Sequence, residues 1–185
     1  MSLLALSTSS PALSIALIDG DAVARHHELI GRGHAEALVP AVQALLAGRV
    51  PDRIIVDIGP GSYTGIRIGI AAARALGLAW GVPVHGASAL QLVAAQAFAA
   101  DPALAEVLAL IDAGRGHAAG AVLGRDLVAP KPALITELPD VAVAGAGAAL
   151  LGATAARHGD HPDAAFAGAL PAAALTLPVA LYAGE

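Results

Sequence analysis

The chain has 185 residues, enough for one large domain or two small ones with a real core in either case. It is 57% hydrophobic but only 3% aromatic, with 21 Gly and 12 Pro, so its elements must pack through Ala, Leu and Val and approach one another closely. The absence of Cys excludes a disulfide framework and thiolate metal sites, and a net charge of −5 with scattered Lys and Arg argues against strong RNA binding by this chain alone.

Met1–Ser10 has neither the basic region nor the cleavage signal of a secretory leader, so a cytoplasmic location is expected. The first thirty residues read as a β-meander: Leu3–Leu6, Ala12–Leu17 and Ala22–Leu29, with turns at Ser9-Ser10-Pro11 and Asp19-Gly20-Asp21. Gly33–Ala47 has helical periodicity through Ala35, Leu38, Val42, Leu45 and Leu46, with Pro40 inside it, which predicts a kink or a late start. Strands are expected at Arg53–Ile58 and Val82–Val84, and helices at Gly65–Trp80 and Ser88–Ala99. The stretch Ala164–Gly184 is long and uncharged enough to span a bilayer. It holds Pro171 and Pro178 and lacks basic flanks and an aromatic belt, so it is read as a short helix and a closing strand, not a membrane segment.

The order β-β-β-α-β-α-β-α is that of the ribonuclease-H-like unit found in actin-like, sugar-kinase-like and Hsp70-like proteins, a fold-level analogy. A weak repeat supports two such units. Leu4-Ala5-Leu6 and Ile15-Ala16-Leu17 recur as Leu108-Ala109-Leu110 and Ala121-Val122-Leu123, each copy followed by a turn. After Val141–Ala144 and a helix near Ala146–His158 too little chain remains for a complete second copy. The expectation is an α/β protein of two ribonuclease-H-like (actin-like ATPase) lobes, residues 1–100 and a shortened 101–185.

Between a strand and a helix lies Asp57-Ile58-Gly59-Pro60-Gly61-Ser62-Tyr63-Thr64-Gly65-Ile66-Arg67. Glycine loops in that place often cradle phosphates, which makes Gly59, Gly61, Ser62, Thr64 and Arg67 a candidate anion site. The spacing fits neither a Walker loop, nor a dinucleotide fingerprint, nor a nucleophile elbow, and so favours a structural turn. Asp57 and Arg67 are placed to pair across it. In the following helix Gly65, Gly69, Ala73, Gly77 and Gly81 recur every four residues, and Ala37, Ala41, Ala44 and Gly48 make a similar narrow stripe on the earlier helix. Each helical Gly costs about 1 kcal/mol relative to Ala, so the stripe calls for close approach of something: the chain's own sheet, or another subunit.

The run Gly59–Gly69, with Ala73-Arg74-Ala75-Leu76, Pro83, Gly86-Ala87-Ser88-Ala89-Leu90 and the earlier His34-Ala35-Glu36-Ala37-Leu38-Val39-Pro40, resembles the TsaB (YeaZ) family over roughly a third of the sequence. The resemblance implies a two-lobed actin-like protein that pairs with a TsaD-like catalytic subunit, the paralogue that transfers threonylcarbamoyl to an adenosine of tRNA. It further implies contact with a TsaE-like ATPase, tRNA reached only through the complex, and pairing through the two helices. His34, Ala37, Ala41, Gly65, Gly69, Ala73 and Gly77 are then the expected interface, and the small-residue stripes also allow a homodimer. TsaD-like chains carry a His-x-x-x-His metal pair after this helix. Here His85 has no partner at Ala89, and the remaining histidines show no ligand spacing, so no metal or catalytic residue is assigned. Ser7 stands where many relatives have the nucleotide-organising Asp, and Arg115-Gly116-His117 beside Asp112 departs from the family pattern. No cofactor is called for, and at most weak binding of ATP or ADP is expected. The alternative is a small actin-like ATPase or kinase.

Overall fold

The computed structural model describes residues 1–153 and 159–183. Three strands, β1 (Ser2–Ser7), β2 (Ala12–Asp19) and β3 (Ala22–Leu29), form the expected antiparallel meander. The two parallel strands β4 (Arg53–Asp57) and β5 (Val84–Ala87) extend it to a five-stranded sheet of order β3-β2-β1-β4-β5. Helices α1 (His34–Leu46) and α2 (Tyr63–Trp80) connect β3 to β4 and β4 to β5, and α3 (Ala89–Ala100) follows β5.

Strand alternation explains the layers. Leu4, Leu6, Leu13, Ile15, Leu17, Ile54 and Val56 face α1 and α2, which bury Leu38, Val42, Leu46, Ile66 and Ile70. Leu3, Ala5, Ala16, Ile18 and Ile55 face the other way, toward α3. The helix α3 is buried at ten of its 12 residues because a second sheet covers its far side. That sheet has the order β8-β7-β6-β9, with β6 (Glu106–Asp112), β7 (Ala118–Gly124), β8 (Ala133–Ile135) and β9 (Val143–Ala144). Val107, Ala109, Ile111, Ala119, Ala121 and Leu123 close the shared core around α3.

Several boundaries move, each for a local reason. Pro40 does not interrupt α1; Pro40 and Glu36, whose carbonyl loses its partner there, are both exposed, so water can satisfy it. The fifth strand starts at Val84 and not at Val82, because Gly81 takes a left-handed conformation and the amides of Gly81 and Val82 both cap the Gly77 carbonyl at the end of α2. The repeat is real but one residue out of the sequence alignment. Leu108-Ala109-Leu110 pairs with Val122-Ala121-Gly120, so Ala121 corresponds to Ala16, and both face α3. The helix expected near Ala146–His158 is seen as α4 (Gly147–Leu150), and residues 154–158 lie outside the described residues.

The C-terminal segment differs most. Ala164–Ala169 and Ala172–Ala174 are 3₁₀ turns, and the closing strand is a single bridge between Thr176 and Gly86. Among the described residues no helix is long and apolar enough to cross a membrane. This segment leaves the second sheet and returns to β1, β2 and β3, so a division at residue 100 does not separate two self-contained halves. Gln91 helps hold them together: its side-chain nitrogen donates to the carbonyls of Leu127 (2.7 Å) and Ala174 (2.9 Å).

The return is anchored at Asp163, buried beneath β2 and β3. Ser14 Oγ donates to Asp163 Oδ1 (3.2 Å) and accepts from the Ala164 amide (2.9 Å), while Arg25 lies 3.3 Å from Oδ2. Because the Ser14 proton goes to Asp163, His27 is left to donate from Nδ1 to Ser14 Oγ (3.0 Å). Burial pushes the pKa of His27 down against the pull of Asp163, and burial does the same to His161 against Asp160. The unfolded chain therefore takes up protons first as the pH falls below about 6.5, and the stability these histidines contribute above that value is lost below it. Thermal melts from pH 7.5 to 5 are expected to show a falling melting temperature, with a shallower slope in the His27→Asn, His161→Asn double variant; an unchanged slope would refute the assignment.

Candidate functional site

The glycine loop is organised around one carboxylate. Asp57 ends β4, is 1% exposed, and accepts hydrogen bonds from Ser7 Oγ (2.6 Å), Ser9 Oγ (2.5 Å) and the Gly59 amide (2.8 Å). Burial pushes its pKa up and the three donors oppose that shift. The loop is then stitched to the β1–β2 hairpin, since the Ser62 amide donates to the Ser9 carbonyl (2.7 Å) and Thr8 Oγ1 donates to the Gly65 carbonyl (2.7 Å). Ser62 Oγ caps α2 at the Gly65 amide (3.2 Å). On the far side the Gly59 carbonyl accepts from Ser88 Oγ (3.0 Å) and the Ala89 amide (2.8 Å) at the start of α3.

These contacts bear on two sequence expectations, and the first is corrected. Arg67 does not pair with Asp57; it is exposed, its Nε donates to Tyr182 Oη (3.2 Å), and its guanidinium lies over the Tyr63 ring at 3.8 Å. The amides of Gly59 and Ser62 are engaged within the protein, as a structural turn requires, while Gly61, Ser62 and Thr64 border open space together with Pro60 and the start of α2. That space is a cleft of about 1370 Å³ between the lobes, also lined by Arg32, Glu36, Asp112 and Arg115.

The small-residue stripe faces inward. Gly65, Gly69, Ala73 and Gly77 are all buried on α2, and a Cβ at Gly69 would lie 2.6 Å from Thr8 Oγ1 and 3.4 Å from Val56. Gly81 is outside the stripe as the helix cap. His34 is buried too, its Nε2 3.3 Å from the Ala12 carbonyl, while Ala37 and Ala41 are half-buried against the same core. Of the seven expected interface residues, His34, Gly65, Gly69, Ala73 and Gly77 are buried, while Ala37 and Ala41 keep partial exposure. The chain's own sheet is what approaches.

The opposite faces of the two helices carry what the sequence reading missed. On α1, Ala35, Val39, Pro40, Gln43 and Ala44 are exposed; on α2, Ala71, Ala75, Leu78 and Ala79. Leu78 is 87% exposed. The two arginines of that side of α2 are held by the C-terminal strap, Arg67 by Tyr182 and Arg74 by the Pro178 carbonyl (2.7 Å). Tyr182 also stacks on Tyr63 at 5.3 Å between ring centroids. The periodicity of Val39 with Gln43 and of Ala71 with Ala75 was the available signal, but Ala and Gln give it little contrast.

Two sheets of ribonuclease-H-like order, α3 between them and a cleft at the hairpin tips define an actin-like α/β protein. Residues 26–134 match the family described as TsaD: tRNA N6-adenosine threonylcarbamoyltransferase. The chain belongs to that family, and within it the likeness is to TsaB (YeaZ) proteins. It is 38% identical over 133 residues to the tRNA threonylcarbamoyladenosine biosynthesis protein TsaB of Escherichia coli (strain K12), covering 68% of this chain and 56% of that protein. It is 35% identical over 123 residues to the protein of the same name in Bacillus subtilis (strain 168), covering 63% and 52%. The chain thus spans about half the length of the curated relatives it matches. YeaZ from Pseudomonas aeruginosa superposes with a TM-score of 0.77 at 29% identity, over 91% of this chain and 89% of that one.

The inward stripe generates a direct test. Gly69→Leu is expected to destabilise the chain by about 2–3 kcal/mol in urea unfolding, through overpacking against Thr8 and Val56. A variant as stable as the native chain would show that this face is not packed.

Proposed function

We propose that the chain is a non-catalytic partner subunit in the synthesis of threonylcarbamoyladenosine on tRNA, pairing with a TsaD-like catalytic subunit through the outward faces of α1 and α2. The observation that carries the reading is the character of those faces. They are broad and Ala-rich, Glu36 is the one charge on the α1 side, and both arginines of the α2 side are tied to the strap. A largely apolar surface whose few charged side chains are mostly held in place is suited to being covered. Two further points support the reading: the relatives' names, and the lack of a His pair like the one that TsaD-like chains use for metal. A TsaE-like ATPase and the tRNA would be met in the assembled complex, where a partner supplies the positive surface that this chain lacks.

Leu78→Glu is the direct probe, because a side chain so exposed contributes within about 0.5 kcal/mol to folding. The variant is expected to keep the native melting temperature and to bind a TsaD-like subunit roughly tenfold or more weakly, as read by calorimetry. The native chain is expected to have no transferase activity alone and to restore modified adenosine when added to that subunit. Activity of the isolated chain, or undiminished pairing by Leu78→Glu, would overturn the proposal.

The interlobe cleft favours a second reading, nucleotide binding by a small actin-like ATPase or kinase. Low-micromolar, magnesium-dependent ATP binding in calorimetry is the result that would bring it forward.

A further inference from the structure

We propose that Asp57 is a positioning residue, whose carboxylate fixes the β1–β2 hairpin tip against the glycine loop and so sets where α2 presents its outward face. Ser7 and Asp57 close adjacent parallel strands, one residue beyond the paired Leu6 and Val56. The carboxylate gathers one hydroxyl from the strand end, one from the hairpin tip and one amide from the loop. Both hydroxyls converge on Oδ2, while the loop amide takes Oδ1, so each oxygen serves a different element. From that point the chain of contacts runs outward: Ser9 to Ser62, Thr8 to Gly65, and Gly69 packed on Thr8. The first two turns of α2 therefore rest on a hairpin tip that, beyond the last paired residues Leu6 and Val56, this carboxylate ties to the strand beside it. Removing it would leave two hydroxyls and an amide buried without an acceptor, a local penalty at the loop and not a general loss of core.

The geometry also says that the charge could stand on either strand. With Oδ2 2.6 Å from Ser7 Oγ, exchanging the two residues moves the carboxylate by one strand and puts a hydroxyl at position 57 to donate to it in place of Ser7. Hydrogen exchange reads the arrangement directly, because the Gly59 and Ser62 amides donate to Asp57 Oδ1 and the Ser9 carbonyl. Asp57→Ala is expected to speed exchange at those two amides by roughly tenfold or more beyond any change in the amides of β1 and β2. Ser7→Asp combined with Asp57→Ser is expected to bring it back near the native rate. Should Asp57→Ala fail to fold, Ser9→Ala removes one donor alone and carries the same comparison at Ser62. Acceleration spread evenly over the sheet, or a swap no better than Asp57→Ala, overturns the proposal.

The extension to α2's outward face rests on the proposed pairing function. A variant loosened at Gly59 and Ser62 is expected to bind the TsaD-like subunit at least about tenfold more weakly, with recovery in the swap. Loosening with undiminished pairing overturns that extension. A native chain that does not pair refutes the functional reading and leaves the exchange result to decide the role of Asp57.

Discussion

The distance between α2 and the sheet governs the outer half of this molecule. Gly65, Gly69, Ala73 and Gly77 let the helix backbone settle directly on Thr8, Val56 and Val84. A helix with ordinary side chains on that face would stand further off, and neither the Thr8 bond to the Gly65 carbonyl nor the Ser62 bond to Ser9 could form. The glycines cost helix stability, and burial of Ile66 and Ile70 in the row beside the stripe offsets it. Close packing here is a geometric requirement of the loop as much as a source of stability.

Much of this was legible in the sequence. The apolar runs of β1 and β2 and the Asp19-Gly20-Asp21 turn mark the first meander, and the stretch Ser88–Ala99 marks α3. What was not legible follows from ambiguity in the chemistry. A stripe of minimal side chains shows that something approaches closely, but not whether it belongs to the same chain, and here the sheet does. Asp57 and Arg67 have opposite charges and suitable spacing, yet the acid points into the protein, where two hydroxyls meet it, and the base points out toward a tyrosine 115 positions downstream. The 3₁₀ turns after Asp163 were read as a helix because Ala and Leu satisfy either pattern.

Charge is distributed to match this division between inside and outside. The Asp57 carboxylate is compensated by hydrogen bonds alone, whereas Asp163 has Arg25 beside it. On the outer face of α2 the cations are engaged by the C-terminal strap through a carbonyl and a phenol. The strap thereby orients both guanidinium groups of that helix surface without cancelling their charge, and it covers the edge of β5 through Gly86.

That strap also dictates an order of assembly. Thr176 meets Gly86 across 90 residues, and Ser14 meets Asp163 across 149. Hairpins β1–β2 and β2–β3 close over short loops and can form early, whereas the edge of the first sheet and the underside of β2 wait for the last part of the chain. During synthesis the nascent first lobe must therefore exist for a time with an open β5 edge and an uncovered Ser14. Its exposure to mispairing is greatest in that interval, and it ends only when the C-terminal segment emerges and docks.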